Sequence, residues 1–309
     1  TTLFRSLFIG IGFATALAVL ESKDVEHGPL ECLFTLDEET GLTGASSLKK
    51  GWLKADILIN MDSEELGTIF IGCSGGKNTA AKFKAKMEKT PKNYSSFEIK
   101  IAGLKGGHSG LEIHVGRGNA VKILNRLIFE YSNENTIRLA SINGGNKHNA
   151  IPREAFAVVV VPKKDEKKLK KFVSKYNETV KAEFAAIEPD LSVSSEKHEV
   201  PEKVMDEKTQ RLLVNALYAV PHGVTKMSND IPGLVETSNN LAVVETVGKN
   251  INIVTSQRSS VASENVDITN MVTTVFLLAG AEVSYGDGYP GWKPDVGSEI
   301  LKVFKSTFK

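Results

Sequence analysis

Hydrophobic and polar positions divide the chain into two stretches of different texture. Before about residue 66 the apolar residues come in runs with few polar interruptions: Ser6 to Leu20, Leu30 to Leu36 and Ala55 to Asn60. Short runs bounded by turn residues, such as the second and third, predict strands buried on both faces. The spacing in Phe13 to Leu20 and in Gly41 to Lys50 predicts helices. Helix, strand, helix, strand from Phe13 to Asp62 is the alternation of a parallel sheet with covering helices. From Gly67 the texture changes to alternating positions and glycine-rich turns, which places a boundary near Cys73 to Gly76. Beyond it, Thr79 to Lys86 and Phe97 to Leu104 predict antiparallel strands with one wet face. Thr136 to Ile142 and the β-branched run Ala155 to Val161 predict further strands, the latter buried on both faces. Helical spacing marks Asn119 to Tyr131, Asp206 to Tyr218 and Ser263 to Ala279. It also marks Asp165 to Ile187, where Leu169, Phe172, Val173, Tyr176, Val180 and Phe184 form one stripe. Leu241 to Thr246 and Ile251 to Gln257 flank Val247-Gly248-Lys249-Asn250 as a hairpin, and Ser298 to Lys309 predicts a last helix. Strand and helix units thus occur twice, over Phe97 to Val161 and Asp206 to Ala279, without a residue-level repeat.

Composition narrows the class. The 309 residues are 41% hydrophobic, enough for a full core in one large domain or two ordinary ones. With 38 basic and 37 acidic residues the net charge is +1, which gives no global field for nucleic acid. The lysines of Asp165 to Ile187 read as the solvated face of a helix, since no aromatics interleave with them. Cys32 and Cys73 form no disulfide framework and fit a reducing compartment, hence a cytoplasmic location. The apolar run after Arg5 has two readings. It has the form of a signal-peptide core, with Ala14-Thr15-Ala16 as a small-x-small site, or of a glycine-rich turn at Gly10 and Gly12 feeding a buried helix. It is short for a membrane span, and no membrane partner is expected.

Chemistry concentrates at a few points. The run Leu33 to Leu36 ends in Asp37-Glu38-Glu39, and Ala55 to Asn60 is followed by Asp62-Ser63-Glu64-Glu65, so carboxylates follow an apolar run twice. Acids at strand ends can coordinate a hard cation or accept a proton from water; acids in a first helical turn also serve simply as caps. In Gly103-Leu104-Lys105-Gly106-Gly107-His108-Ser109-Gly110 the glycines let backbone approach a ligand while His108 reaches out, or His108 is a turn residue. Asn149 to Glu154 is a strand-entry turn set by Pro152, and Arg258 at a strand end is either solvated or a fork for a substrate carboxylate.

Taken together these segments resemble a family. Ala16 to Leu20, His27-Gly28-Pro29-Leu30-Glu31, Glu38-Glu39, Ala55 to Asn60 with Asp62 to Glu65, Gly103 to Gly116, Asn149 to Ala155, Val235-Glu236-Thr237-Ser238 and Tyr289-Pro290-Gly291-Trp292 carry the likeness. They look like the aminoacyl-histidine dipeptidases, the Xaa-His or cytosolic non-specific dipeptidases of the peptidase D type, which are co-catalytic zinc peptidases. The resemblance runs from about Ile11 to the end. It implies an α/β fold: a partial zinc-peptidase catalytic domain, mostly a parallel sheet with helices, over residues 1–74, with a return at 286–309. An α+β lid domain with tandem halves would interrupt it over 75–285. It implies hydrolysis of Xaa-His and related dipeptides by metal-activated water with two zinc ions. Residue by residue, Glu38 matches the general base, Glu39 a ligand of one metal, Asp62 a ligand of the other, and His108 the lid histidine that polarises the scissile carbonyl. Arg258 and Asn149 match residues that hold the dipeptide. An oligomer is compatible with this.

The sequence also departs from the family pattern. An upstream His-x-Asp motif, a bridging aspartate in a Gly-Ala-Asp-Asn-Gly-Ile-Gly turn and a distal histidine are not found between Thr1 and Lys309, where Leu7 to Gly12 occupies the place of the turn. Each metal would keep one protein ligand where zinc sites take three or four. The expectation is an incomplete chain of poor solubility, with a frame disturbance or gene-model boundary within residues 1–9. The alternative function is a non-catalytic remnant or lid-like protein that binds peptides without hydrolysing them.

Overall fold

The computed structural model describes residues 7–37, 43–62 and 67–308. Two compact units emerge, Thr1–Phe70 with Gly297–Lys309, and Ile71–Val296.

The first unit holds α1 (Leu7–Glu21), α2 (Thr43–Ser46) and α7 (Glu299–Thr307). Its extended segments are tied by side chains: Glu31 Oε2 accepts from the amides of Lys54 and Ala55 at 2.7 and 2.9 Å, and Phe13 packs on Phe34. A parallel sheet is not shown here. Leu30 to Leu36 and Ala55 to Asn60 carry no strand ladder, and apolar side chains in them stand open, Leu36 at 80% and Leu58 at 79% exposure. The physical reason is that a strand buried on both faces needs neighbours along its edges, and among the described residues these segments have none. No described helix is long and apolar enough to cross a membrane.

The second unit is built on antiparallel pairing. In chain order its strands are β1 (Gly75–Lys84), β2 (Met87–Lys89), β3 (Tyr94–Ala102), β4 (Gly107–His108), β5 (Arg138–Gly144), β6 (Ala150–Ile151) and β7 (Ala155–Pro162). There follow β8 (Ser192–His198), β9 (Lys203–Met205), β10 (Gly223–Met227), β11 (Val235–Val247), β12 (Asn250–Ser259) and β13 (Glu282–Tyr285). Its helices are α3 (Ala120–Glu134), α4 (Glu166–Phe184), α5 (Glu207–Ala219) and α6 (Ala262–Leu278). Nine strands form one sheet in the order β13-β1-β12-β11-β5-β7-β3-β8, with β10 beside β11, while β2 with β9 and β4 with β6 make two small ladders. Because side chains alternate along a strand, Phe97, Ile99 and Ile101 of β3 and Ala155, Ala157, Val159 and Val161 of β7 face one way. They meet Leu124, Leu127 and Ile128 of α3 and Leu169, Val173, Tyr176 and Val180 of α4 in one continuous core. Each Val, Leu, Ile or Phe side chain among them contributes about 1.5–3 kcal/mol on burial. The opposite face of β7 is half-buried at Phe156 and Val158 and closed at Val160, so two-sided burial holds at one position of that strand.

Local chemistry fixes the helix ends. Asn119 caps α3 by accepting from the amides of Val121 and Lys122, and its Nδ2 donates to the Leu241 carbonyl at 2.8 Å, tying the helix to β11. Asp206 caps α5 through the Thr209 amide. At the other end of α5, Lys122 Nζ donates to the carbonyls of Leu217, Tyr218 and Val220. Gly145 is at φ 71, and a Cβ there would lie 1.9 Å from the Ala242 carbonyl oxygen. Glycine at this point lets the chain leave β5 hard against β11 and turn into Asn149 and β6.

His222 lies in this packing, with Nδ1 3.4 Å from the Leu241 amide nitrogen and from Asn119 Nδ2. Burial first, and the Lys122 ammonium second, drive its pKa down to about 4 from 6.5. Between those values the unfolded chain binds a proton that the folded one refuses, so stability falls as pH drops from 6.5 toward 4. His222 as a residue is half-buried, so the effect, discounted for solvent, is roughly 2 kcal/mol. Urea unfolding at pH 7 and pH 4.5 should show this loss, and His222→Gln should lessen it.

Candidate functional site

The glycine-rich segment after β3 forms a tight, internally bonded loop. The two-residue ladder of β4 and β6 sets His108 opposite Ala150, and the Ser109 amide donates to the Asn149 carbonyl at 2.9 Å. The His108 amide donates to Glu112 Oε2 at 2.8 Å. Glu112 pairs with Arg117 at 2.6 Å, and Arg117 donates in turn to the Gly106 carbonyl. The His108 amide, and after it the Arg117 cation, hold the Glu112 carboxyl below its ordinary range.

The imidazole is oriented by backbone. Nδ1 of His108 accepts from the amides of Gly110 and Leu111 at 3.2 and 3.0 Å. A nitrogen that accepts carries no hydrogen, so the neutral ring bears its proton on Nε2 and presents a donor there. Burial, and then the Arg258 cation, hold the His108 pKa below 6.5, with Glu112 opposing. Arg258, on β12 opposite Gly76 and Ser238, donates to the Tyr289 hydroxyl at 3.1 Å. A Cβ on Gly110 would meet both the Arg258 guanidinium and the His108 ring at 3.1 Å, so the bare backbone of Gly110 is what lets these two groups approach. Beside them opens a cavity of about 110 Å³ whose walls include Asn78, Asn149, Ser256, Arg258, Asp287 and Tyr289. A neutral N–H donor, a guanidinium fork and amide side chains can together hold a small polar molecule that carries a carbonyl and a carboxylate.

Of the residues singled out in the sequence, His108, Asn149 and Arg258 come together in the unit Ile71–Val296. Asp62 belongs to the other unit, where its amide donates to Asn60 Oδ1 at 2.9 Å. Glu38 and Glu39 lie outside the described residues. Among the described residues no three His, Cys, Asp or Glu side chains gather as a metal site. Sequence reasoning passed over Glu112, Arg117 and Tyr289 as functional groups. The carboxylate four residues after His108 is the one local signal that pointed to the first of them.

The orientation is open to measurement. Nitrogen-15 NMR of the imidazole should show His108 as the Nε2–H tautomer at pH 7, titrating below an ordinary histidine. An Nδ1–H ring, or a raised pKa, would contradict the arrangement.

Comparison with known proteins gives the relationship. Residues 92–188 match the peptidase dimerisation domain. Over 300 residues the chain is 41% identical to the cytosol non-specific dipeptidase of Escherichia coli (strain K12), covering 97% of this chain and 62% of that protein. The crystal structure of aminoacylhistidine dipeptidase from Vibrio alginolyticus superposes with a TM-score of 0.93 at 41% identity, over 96% of this chain and 61% of that one. The uncharacterized protein YqjE of Bacillus subtilis (strain 168) is 28% identical over 173 residues, 53% of this chain and 41% of its own length. The chain is therefore a relative of the cytosol non-specific and aminoacylhistidine dipeptidases along nearly all of its own length, and it spans about three-fifths of theirs.

Proposed function

We propose that the chain serves a metal-dependent dipeptidase acting on Xaa-His and related dipeptides, and supplies the groups that hold and polarise the substrate. The observation that carries this reading is the meeting of His108, Arg258 and Asn149 in one site, in a chain 41% identical to a dipeptidase. Arg258 takes the C-terminal carboxylate in its fork, with Tyr289 steadying the guanidinium. Asn149 holds the peptide beside it. His108 donates from Nε2 to the scissile carbonyl oxygen, and that hydrogen bond strengthens as the oxygen gains charge on the way to the tetrahedral intermediate. Keeping His108 neutral makes it a donor that does not surrender its proton at pH 7. In this proposal Glu38 takes the proton of the attacking water and delivers it to the leaving amine.

Glu39 and Asp62 are the proposed metal donors, one for either of two zinc ions. Two donors fall short of the three or four that a zinc site takes, and the described residues gather no such set. The lid role of the unit Ile71–Val296, the domain limits 1–74, 75–285 and 286–309, self-association through residues 92–188 and a cytoplasmic location belong to the same proposal.

A second reading, peptide binding without hydrolysis, has one observation on its side. The substrate-holding groups share a single unit, whereas Asp62 belongs to the other.

Turnover of an Xaa-His dipeptide, measured together with bound zinc, separates the two. The enzyme reading expects hydrolysis that Glu38→Gln lowers by about 10²- to 10⁴-fold, and an Arg258→Lys variant whose KM rises more than its kcat falls. Binding of the dipeptide with neither metal nor turnover would favour the second reading.

A further inference from the structure

Glu188 is 1% exposed, and nothing proposed above uses it. It sits just beyond α4, where its own amide donates to the Phe184 carbonyl and its carbonyl accepts from Leu191. The C-terminal end of a helix carries the negative pole of the dipole, so a carboxylate gains nothing from this position. A buried charge must find its partners elsewhere. Both partners come from the loop that carries His108. Oε2 accepts from the Lys105 amide at 2.8 Å, and Oε1 accepts from the Gly118 amide at 3.1 Å. These amides stand at the two ends of the segment 105–118, so one carboxylate closes that segment into a ring. Inside the ring, Arg117 reaches back to the Gly106 carbonyl and pairs with Glu112, and Glu112 receives the His108 amide. Two sets of charge-assisted hydrogen bonds, one at Glu188 and one through Arg117 and Glu112, joined only through the backbone at Lys105-Gly106 and Arg117-Gly118, therefore frame the loop whose Gly110 and Leu111 amides orient the imidazole.

We propose that Glu188 is a positioning residue for His108: its two oxygens clamp both ends of segment 105–118, and the closed loop holds the imidazole with Nε2 presented to the substrate. The proposal rests on the reading of His108 as the group that polarises the scissile carbonyl, and its test does not require turnover. Glu188→Gln keeps the shape but replaces one acceptor oxygen with an NH2 donor, so one loop end then faces a donor instead of an acceptor.

In the unsubstituted protein the Lys105 and Gly118 amides should exchange with deuterium at matching slow rates, slower than Leu111 between them; unequal rates would overturn the clamp. In Glu188→Gln, with circular dichroism unchanged, one or both amides should exchange faster. The His108 ring, assigned by its loss in His108→Gln, should titrate closer to an ordinary histidine and lose its single tautomer. If the amide variant does not fold, Glu188→Asp keeps the charge but is one methylene too short to reach both ends, and it should give the same signature. Faster amide exchange with an unchanged His108 titration and tautomer would overturn the positioning role. For the active enzyme the expected effect is a fall in kcat of about tenfold to a hundredfold with KM little changed. Loss of activity with His108 unmoved would also overturn it, whereas no dipeptide turnover in the unsubstituted protein would count against the proposed function and leave the His108 measurement standing.

Discussion

Two backbone N–H groups aimed at one ring nitrogen set the terms for this site. An imidazole that receives the amides of Gly110 and Leu111 at Nδ1 has one tautomer available and one edge left to work with. Everything around it serves that constraint. The ladder of β4 and β6 fixes where His108 leaves the backbone, Glu112 holds its amide, and burial, followed by the nearby Arg258 cation, disfavours a charged ring. The outcome is a neutral donor beside a guanidinium, which suits a substrate with a carbonyl at one point and a carboxylate at the next.

The sheet makes such a constraint possible. Nine strands in one sheet bring β12, which carries Arg258, next to β1 and β11, and the join of β11 to β5 carries the chain on toward β6 and His108. Short ladders such as β4 with β6 are weak alone, and this one is reinforced from the large sheet, where Asn240 of β11 donates to the Ala150 carbonyl at 2.8 Å. The close approach at Gly145 belongs to the same design. A side chain there would strike β11 and push the Asn149 turn away from His108.

Much of the second unit was legible in the sequence. The stripe Leu169, Phe172, Val173, Tyr176, Val180 and Phe184 faces the core as its spacing requires, and Asn119 and Asp206 cap helices where the apolar periodicity begins. The two- to five-residue strands β2, β4, β6, β9, β10 and β13 were not legible, because so few residues carry no periodicity. The runs Leu30 to Leu36 and Ala55 to Asn60 show the opposite failure: an apolar run states what a segment would bury, not whether neighbours are there to cover it. His108, Asn149 and Arg258 were singled out in the sequence, where their neighbourhoods alone also allowed a turn residue, a strand-entry turn and a solvated arginine; that they come together in one unit is visible only in the fold. Glu188 was not singled out, since it acts on a loop 70 and 83 residues earlier in the chain, and nothing local marks that contact.

The central proposal is that His108, Asn149 and Arg258, together in the unit Ile71–Val296, hold a dipeptide. It is tested most directly by adding an Xaa-His dipeptide to the protein in the presence of a chelator while following the His108 imidazole by NMR. The account predicts that the Nε2 resonance moves in a saturable way and that Arg258→Ala abolishes the movement. A dipeptide that leaves His108 unmoved, or moves it equally without Arg258, would contradict it.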